Sequence, residues 1–131
     1  MEGYKEILMW KKFDESLGAR ILVMGMTFKE NVADIRNSKV VDIINELKDF
    51  GVEVDVVDPY ADPEEVKKMY GFRLIEKPLG NYDAVVVAVA HDAYQGLDEK
   101  YFKSLTCDKA VLVDVKGMYR DKIHELKYWS L

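Results

Sequence analysis

The chain has 131 residues, 49% hydrophobic and 33% charged, with a net charge of −5, which bounds it to one globular domain with an ordinary core. An acidic balance without a long basic run argues against nucleic acid as partner, and no apolar run approaches the roughly 20 residues of a membrane span. One cysteine, Cys107, rules out an internal disulfide, and Glu2 and Lys5 interrupt any signal-peptide pattern, so a reducing compartment, the cytoplasm, is the expected location.

Residues 1–18 carry Ile7, Leu8, Trp10 and Phe13 between charges, with Gly18 as a stop, the pattern of an amphipathic helix. This segment precedes the first strand and stands outside the βα repeat. It is expected to be an N-terminal helical segment or linker, either docked on the domain or ending a connecting helix. Residues 19–131 are expected to form the domain itself. Arg20 to Met24 is near-continuously apolar, as a strand covered on both faces should be. A long polar loop follows, Gly25 to Ser38. Val40, Val41, Ile43, Ile44, Leu47 and Phe50 then fall at helical spacing, with Asn37 or Ser38 as cap and Gly51 as the C-terminal stop.

Val52 to Val57 is the second strand, stopped by Asp58-Pro59-Tyr60. Asp62 and Pro63 open a short helix to Tyr70, which Gly71 closes. Phe72 to Ile75 reads as a short strand or an extended connection, and Pro78 to Tyr82 as a turn or short helix. Ala84 to Val89 is the most apolar strand and is placed at the sheet centre. A short helix begins near Leu97-Asp98 and includes Tyr101, Phe102 and Leu105. Ala110 to Val115 reads as the last strand, and Tyr119 to Leu126 as a loop or short helix. Strands alternating with helices imply βαβ units. The right-handed crossover rule then gives an α/β, Rossmann-like three-layer open sheet of about five mainly parallel strands, with helices on both faces.

Three polar groups follow carboxyl ends of strands: the Lys29 loop, His91 and Lys116. Open α/β sheets bind ligands along that edge. Lys29 and Arg36, two cations in a loop that leads into a helix, point to an anion, most simply a phosphate. The bland alternatives are solvated charges, or Arg36 paired with Asp34. Gly25 stands alone. In a dinucleotide fingerprint G-x-G-x-x-G the third and sixth positions would be glycine, and here they are Thr27 and Glu30. Asp58 would be the ribose-binding acid of such a site; without the glycines a turn role fits it better. Lys116 invites comparison with phosphorylation receiver domains, but those need an acidic pair where Gly25-Met26 stand. His91-Asp92 reads as an acid–base pair or, more simply, a loop hydrogen bond. His124 lies in a polar tail, and no histidine–cysteine set has metal-ligand spacing. Cys107 falls at the amino end of a strand, the wrong edge for the site.

Gly25-Met26-Thr27-Phe28-Lys29-Glu30-Asn31 through Asp34-Ile35-Arg36-Asn37-Ser38 closely resembles the G-[LM]-T-F-K-x-[ND]-x-x-D-x-R-x-S signature of the UDP-glucose/GDP-mannose dehydrogenases. That signature opens their C-terminal, UDP-binding domain. The match continues through Val54 to Pro59 and Asp114 to Gly117, and covers roughly residues 18–131. The family oxidises the C6 hydroxyl of a UDP-sugar to a carboxylate with two NAD per turnover, for surface polysaccharide synthesis. Its members have an N-terminal NAD-binding domain, a central dimerising domain and this C-terminal domain. The resemblance implies that Phe28 and Lys29 contact the UDP-sugar and that Arg36 reaches NAD, which the N-terminal domain mainly binds. Lys116 stands where many UDP-glucose members carry an arginine that contacts the nucleotide sugar; lysine keeps the charge without a bidentate fork. Val89-Ala90-His91-Asp92 is more similar to the branch acting on UDP-N-acetylhexosamines than to the Thr-Glu-Trp run of UDP-glucose members.

The family's catalytic cysteine lies in a Gly-Gly-x-Cys segment, and this chain contains neither that segment nor G-x-G-x-x-G. The chain alone is therefore expected to be inactive, with no catalytic residue of its own. Its expected partners are a UDP-sugar and the N-terminal and central domains of the same polypeptide, in a full-length homodimer or higher oligomer. The alternative is a free-standing nucleotide-binding module without catalysis.

Overall fold

The computed structural model describes residues 19–130. The helical segment expected over residues 1–18 lies outside the described residues, as does Leu131. Strands β1 (Arg20–Met24), β2 (Glu53–Val57), β3 (Tyr82–Val87), β4 (Thr106–Asp114) and β5 (Lys127–Ser130) form one sheet in the order β2-β1-β3-β4-β5. Every pairing is parallel. Helix α1 (Lys39–Asp49) joins β1 to β2, α2 (Pro63–Tyr70) follows β2, and α3 (Glu99–Leu105) leads into β4.

The apolar runs are continuous because both faces of the sheet are covered. Ile21, Val23, Val86 and Val113 meet Val41, Ile44 and Leu47 of α1 and Val66 of α2 on one face. Leu22, Met24, Val85, Val87 and Leu112 meet Tyr94, Tyr119 and Phe102 of α3 on the other. β3 occupies the centre, as its composition predicts, and spans Tyr82–Val87, two residues earlier than the apolar run. Asp62 caps α2 by accepting the Glu64 N–H at 3.0 Å, and Gly71 closes it in a left-handed conformation.

Two expectations are corrected, and one open alternative is decided. β4 begins at Thr106 rather than Ala110, because Tyr82 pairs with Thr106 across a register shift. β4 is also not the last strand. Residues 127–130 pair with Val111–Asp114, so the strand is imposed by its partner and not by an apolar run of its own. Of the two forms open for Phe72 to Ile75, the chain takes the connection without a strand, and the Ile75 N–H donates to the Val56 carbonyl of β2 at 2.9 Å.

The connection from β4 to β5 is tied down by Glu99 at the start of α3. Its carboxylate accepts the N–H groups of Leu126 (2.9 Å), Glu125 (2.7 Å) and His124 (3.0 Å). These bonds, that from Leu126 first, hold the Glu99 carboxyl below its ordinary range. A depressed carboxylate stabilises the fold above its unfolded-state value and ceases to do so as pH falls through the folded value. Glu99→Gln is therefore expected to flatten the acid limb of a plot of Tm against pH and to leave its alkaline limb unchanged.

Candidate functional site

The strand order 2-1-3-4-5 places its reversal between β1 and β3, where chain connections leave in opposite directions and a crevice opens. Gly25 makes the exit from β1. Its φ is +91°, its N–H donates to the Val57 carbonyl at 2.9 Å, and a Cβ there would stand 2.7 Å from Val89 Cβ. The loop after β1 thus leaves in close contact with the segment after β3.

A buried polar cluster then fixes the course of the loop. Asp58, past the end of β2, turns both carboxylate oxygens inward. Oδ2 accepts the N–H of Met26 (2.7 Å) and of Thr27 (3.2 Å), and Oδ1 accepts the N–H of Tyr60 (2.8 Å). His91, fully buried, sets Nε2 3.0 Å from the same Oδ2 and 3.3 Å from Thr27 Oγ1. Its Nδ1 accepts the Asn31 N–H at 2.9 Å. Asn31 adopts a left-handed conformation and accepts the Asp92 N–H on its own side-chain oxygen at 2.8 Å. Asp58 therefore serves the turn, as expected. Of the two sequence readings of His91, the structure gives the loop hydrogen bond.

The outcome is an exposed tip, Phe28 to Glu30, on a fixed base. Phe28 is 55% exposed, a flat apolar ring at the rim of a pocket of about 250 Å³. Phe28, Lys29 and Lys116 all line this pocket, with Val40 and Val89 behind them. Lys39, which sequence reading did not single out, lines it as well. Lys39 is the first residue of α1. Ser38 occupies the cap position but supplies no side-chain cap, because its hydroxyl donates to the Met26 carbonyl at 2.6 Å. Among the described residues no side chain caps the start of α1, the positive end of the helix dipole, which lies beside three lysines. Glu30 also lines the pocket, and the three lysines leave its balance cationic, which favours an anion.

A larger pocket of about 680 Å³ lies on the other side of Asp58, over Met24, Val57, Leu74, Tyr94 and Tyr101. Its described lining includes Asp58 and Glu76 and no cation, so its chemistry disfavours phosphate. Arg36 does not line the lysine pocket. Its Nε and Nη2 hold the two oxygens of Asp34 at 3.0 and 3.2 Å, and its own N–H adds a third bond at 2.9 Å. The pairing lowers Asp34 and raises Arg36 from their ordinary values, and both are solvent-facing. The structure thus brings together Phe28, Lys29 and Lys116 and leaves Arg36 in the ion pair that sequence reading held as the alternative. Cys107 lies in β4, its Sγ 3.5 Å from Asp83 Oδ1, near the amino edge. Among the described residues there is no metal-binding cluster, and no helix is long and apolar enough to cross a membrane.

Comparison with known proteins gives a consistent result. Residues 22–121 match the model of the UDP-glucose/GDP-mannose dehydrogenase family, UDP binding domain. The UDP-N-acetyl-D-glucosamine 6-dehydrogenase of Pseudomonas aeruginosa is 39% identical over 111 residues, 84% of this chain and 26% of that protein. Protein CapL of Staphylococcus aureus is 44% identical over 115 residues, 87% of this chain and 26% of that protein. The chain thus spans about a quarter of the length of these relatives. Among solved structures, an NDP-N-acetyl-D-galactosaminuronic acid dehydrogenase from Methanosarcina mazei aligns with a TM-score of 0.77 at 23% identity, over 88% of this chain and 25% of that one. The native UDP-N-acetyl-mannosamine dehydrogenase Cap5O from S. aureus aligns at 0.72 and 22%, over 98% and 29%. At these identities the structural likeness speaks for the fold.

Proposed function

The chain belongs to the UDP-glucose/GDP-mannose dehydrogenase family, as its UDP binding domain, and from that premise we propose that the lysine pocket at the β1/β3 crevice seats the diphosphate of a UDP-sugar. The single observation that carries this reading is the convergence of Lys29, Lys39 and Lys116 on the uncapped start of α1, with exposed Phe28 at the rim. Lys29 and Lys116 supply charge, and Phe28 supplies a flat apolar surface for the nucleoside or sugar.

The substrate we propose is a UDP-N-acetylhexosamine, oxidised at its C6 hydroxyl to a uronic acid for surface polysaccharide synthesis in the cytoplasm. The relatives named for N-acetylhexosamine dehydrogenation support this choice. This chain contributes binding and positioning. The thiolate and the bed for NAD belong to the N-terminal and central domains of the same polypeptide, in a homodimer or higher oligomer. The residues present fit one phosphate contact to NAD and no more. The loop after β1 lacks the glycines of a dinucleotide cradle, and Arg36 offers an exposed guanidinium already aligned by Asp34.

Titration of the chain with UDP, followed by amide chemical shifts, tests the reading. Shifts are expected to cluster on Phe28, Lys29, Val40 and Lys116. Lys29→Ala and Lys116→Ala are each expected to weaken UDP about tenfold, and Arg36→Ala to leave UDP affinity within about twofold. Shifts confined to the pocket over Met24 and Leu74 would sink the assignment. In a full-length enzyme, Arg36→Ala should raise KM for NAD more than KM for the sugar nucleotide.

A further inference from the structure

We propose that His91 is the positioning residue of the nucleotide-contacting tip: its imidazole is a spacer that sets the distance between the two limbs of the Thr27–Asn31 loop and so aims Phe28 and Lys29. The proposal rests on the reading of the lysine pocket as the UDP site.

The hydrogen bonds have a direction. A backbone N–H, that of Asn31, faces Nδ1 at 2.9 Å, so Nδ1 presents its lone pair. The ring proton then sits on Nε2, between Asp58 Oδ2 at 3.0 Å and Thr27 Oγ1 at 3.3 Å. The Thr27 hydroxyl in turn donates to the Lys29 carbonyl at 2.9 Å. One ring nitrogen thus reaches the peptide of Lys29 through Thr27, and the other holds the far limb at Asn31. Phe28 and Lys29 lie between the two ties. The ring itself is held by Tyr60, with centroids 4.5 Å apart, and by Tyr94, edge-on at 5.4 Å. An apolar residue of equal volume would fill the space and take away the acceptor of the half-buried Asn31 N–H. The position therefore demands an acceptor on one side and a donor on the other.

Two amide substitutions separate these demands. The carbonyl of His91→Asn lies near the place of Nδ1, and the amide of His91→Gln reaches the place of Nε2. His91→Ala removes both. The readouts on the 131-residue chain are Tm, amide hydrogen exchange at Phe28–Asn31, and UDP affinity by chemical-shift titration. His91→Ala is expected to weaken UDP about tenfold and to speed exchange at Asn31. His91→Asn should recover most of the Asn31 protection and of the affinity. His91→Gln should recover Tm without affinity. Affinity that follows Tm across the variants would overturn the proposal, as would a folded His91→Ala that binds UDP like the wild type. If His91→Ala does not fold, the asparagine and glutamine variants decide by the same split. If the wild type shows no UDP binding, the diphosphate reading fails, and exchange at Asn31 decides the spacer: slow in His91→Asn and fast in His91→Gln supports it, equal rates overturn it.

Discussion

Alanine in place of Asp58 is expected to destabilise the chain by about 3 to 5 kcal/mol and to lower Tm by roughly 10 to 20 °C. The carboxylate is buried and accepts from Met26, Thr27, Tyr60 and His91. Truncation leaves four donors facing a space without an oxygen. The loss is not confined to one turn, because these donors belong to the loop after β1, the turn after β2 and the segment after β3. Asp58→Asn is the informative companion. Its single oxygen can serve the crowded Oδ2 side, and its NH₂ then meets the Tyr60 N–H, donor against donor. We expect about half the alanine cost. Urea unfolding followed by circular dichroism measures both. A cost for Asp58→Ala below about 1 kcal/mol, the value of an ordinary exposed carboxylate, would show that the cluster does not organise the loop.

The second large effect is expected at Gly25. A β-carbon there meets two separate penalties. The backbone sits at φ +91°, which costs an L-residue about 1 to 2 kcal/mol. The new atom also stands 2.7 Å from Val89 Cβ and 3.1 Å from the Val89 backbone nitrogen. Overpacking of this kind adds about 1 to 3 kcal/mol. Val89 lines the lysine pocket, so relief of the clash moves the pocket wall and should weaken UDP as well. A second substitution distinguishes the two penalties. Val89→Ala keeps the offending carbon and should not rescue Gly25→Ala. Val89→Gly removes it and should recover the packing share alone. Rescue by Val89→Ala would place the conflict in the outer methyl groups instead.

The fold was readable because the strands are. Runs such as Ile21-Leu22-Val23-Met24 and Ala84-Val85-Val86-Val87 are buried on both faces, so burial writes itself directly into composition. Once strand ends are placed, Lys29 and Lys116 fall on the carboxyl edge without further information. β5 escaped because residues 127–130 carry no periodicity of their own and take extended form only beside β4. Lys39 escaped because its role depends on Ser38 turning away from the helix it precedes, a choice made by the Met26 carbonyl. His91 was legible as a loop hydrogen-bonder, but the residues it meets were not. Its partners are Thr27, 64 positions away, and Asp58, 33 away, and no local pattern records such a meeting. A histidine directly after the most apolar strand was the one signal available. Arg36 and Asp34 were legible as a pair at close spacing, and that local pairing is the arrangement found.

Among the described residues the sheet contains no hairpin. Each adjacent pair of strands is parallel, and the central pairing of β1 with β3 must bring Arg20 beside Asp83, 63 residues away. Topologies of this kind fold slowly for their size, because chain closure precedes most of the contacts that reward it. The loop after β1 stands at the end of that order of events. Its anchors, Asp58 and His91, come from the ends of β2 and β3 and meet only after both strands have docked on β1. The segment that presents Phe28 and Lys29 is thus expected to be the last part of the crevice to acquire its shape during folding. In the native state it is expected to be the first to open, a low-energy fluctuation that leaves the strands intact.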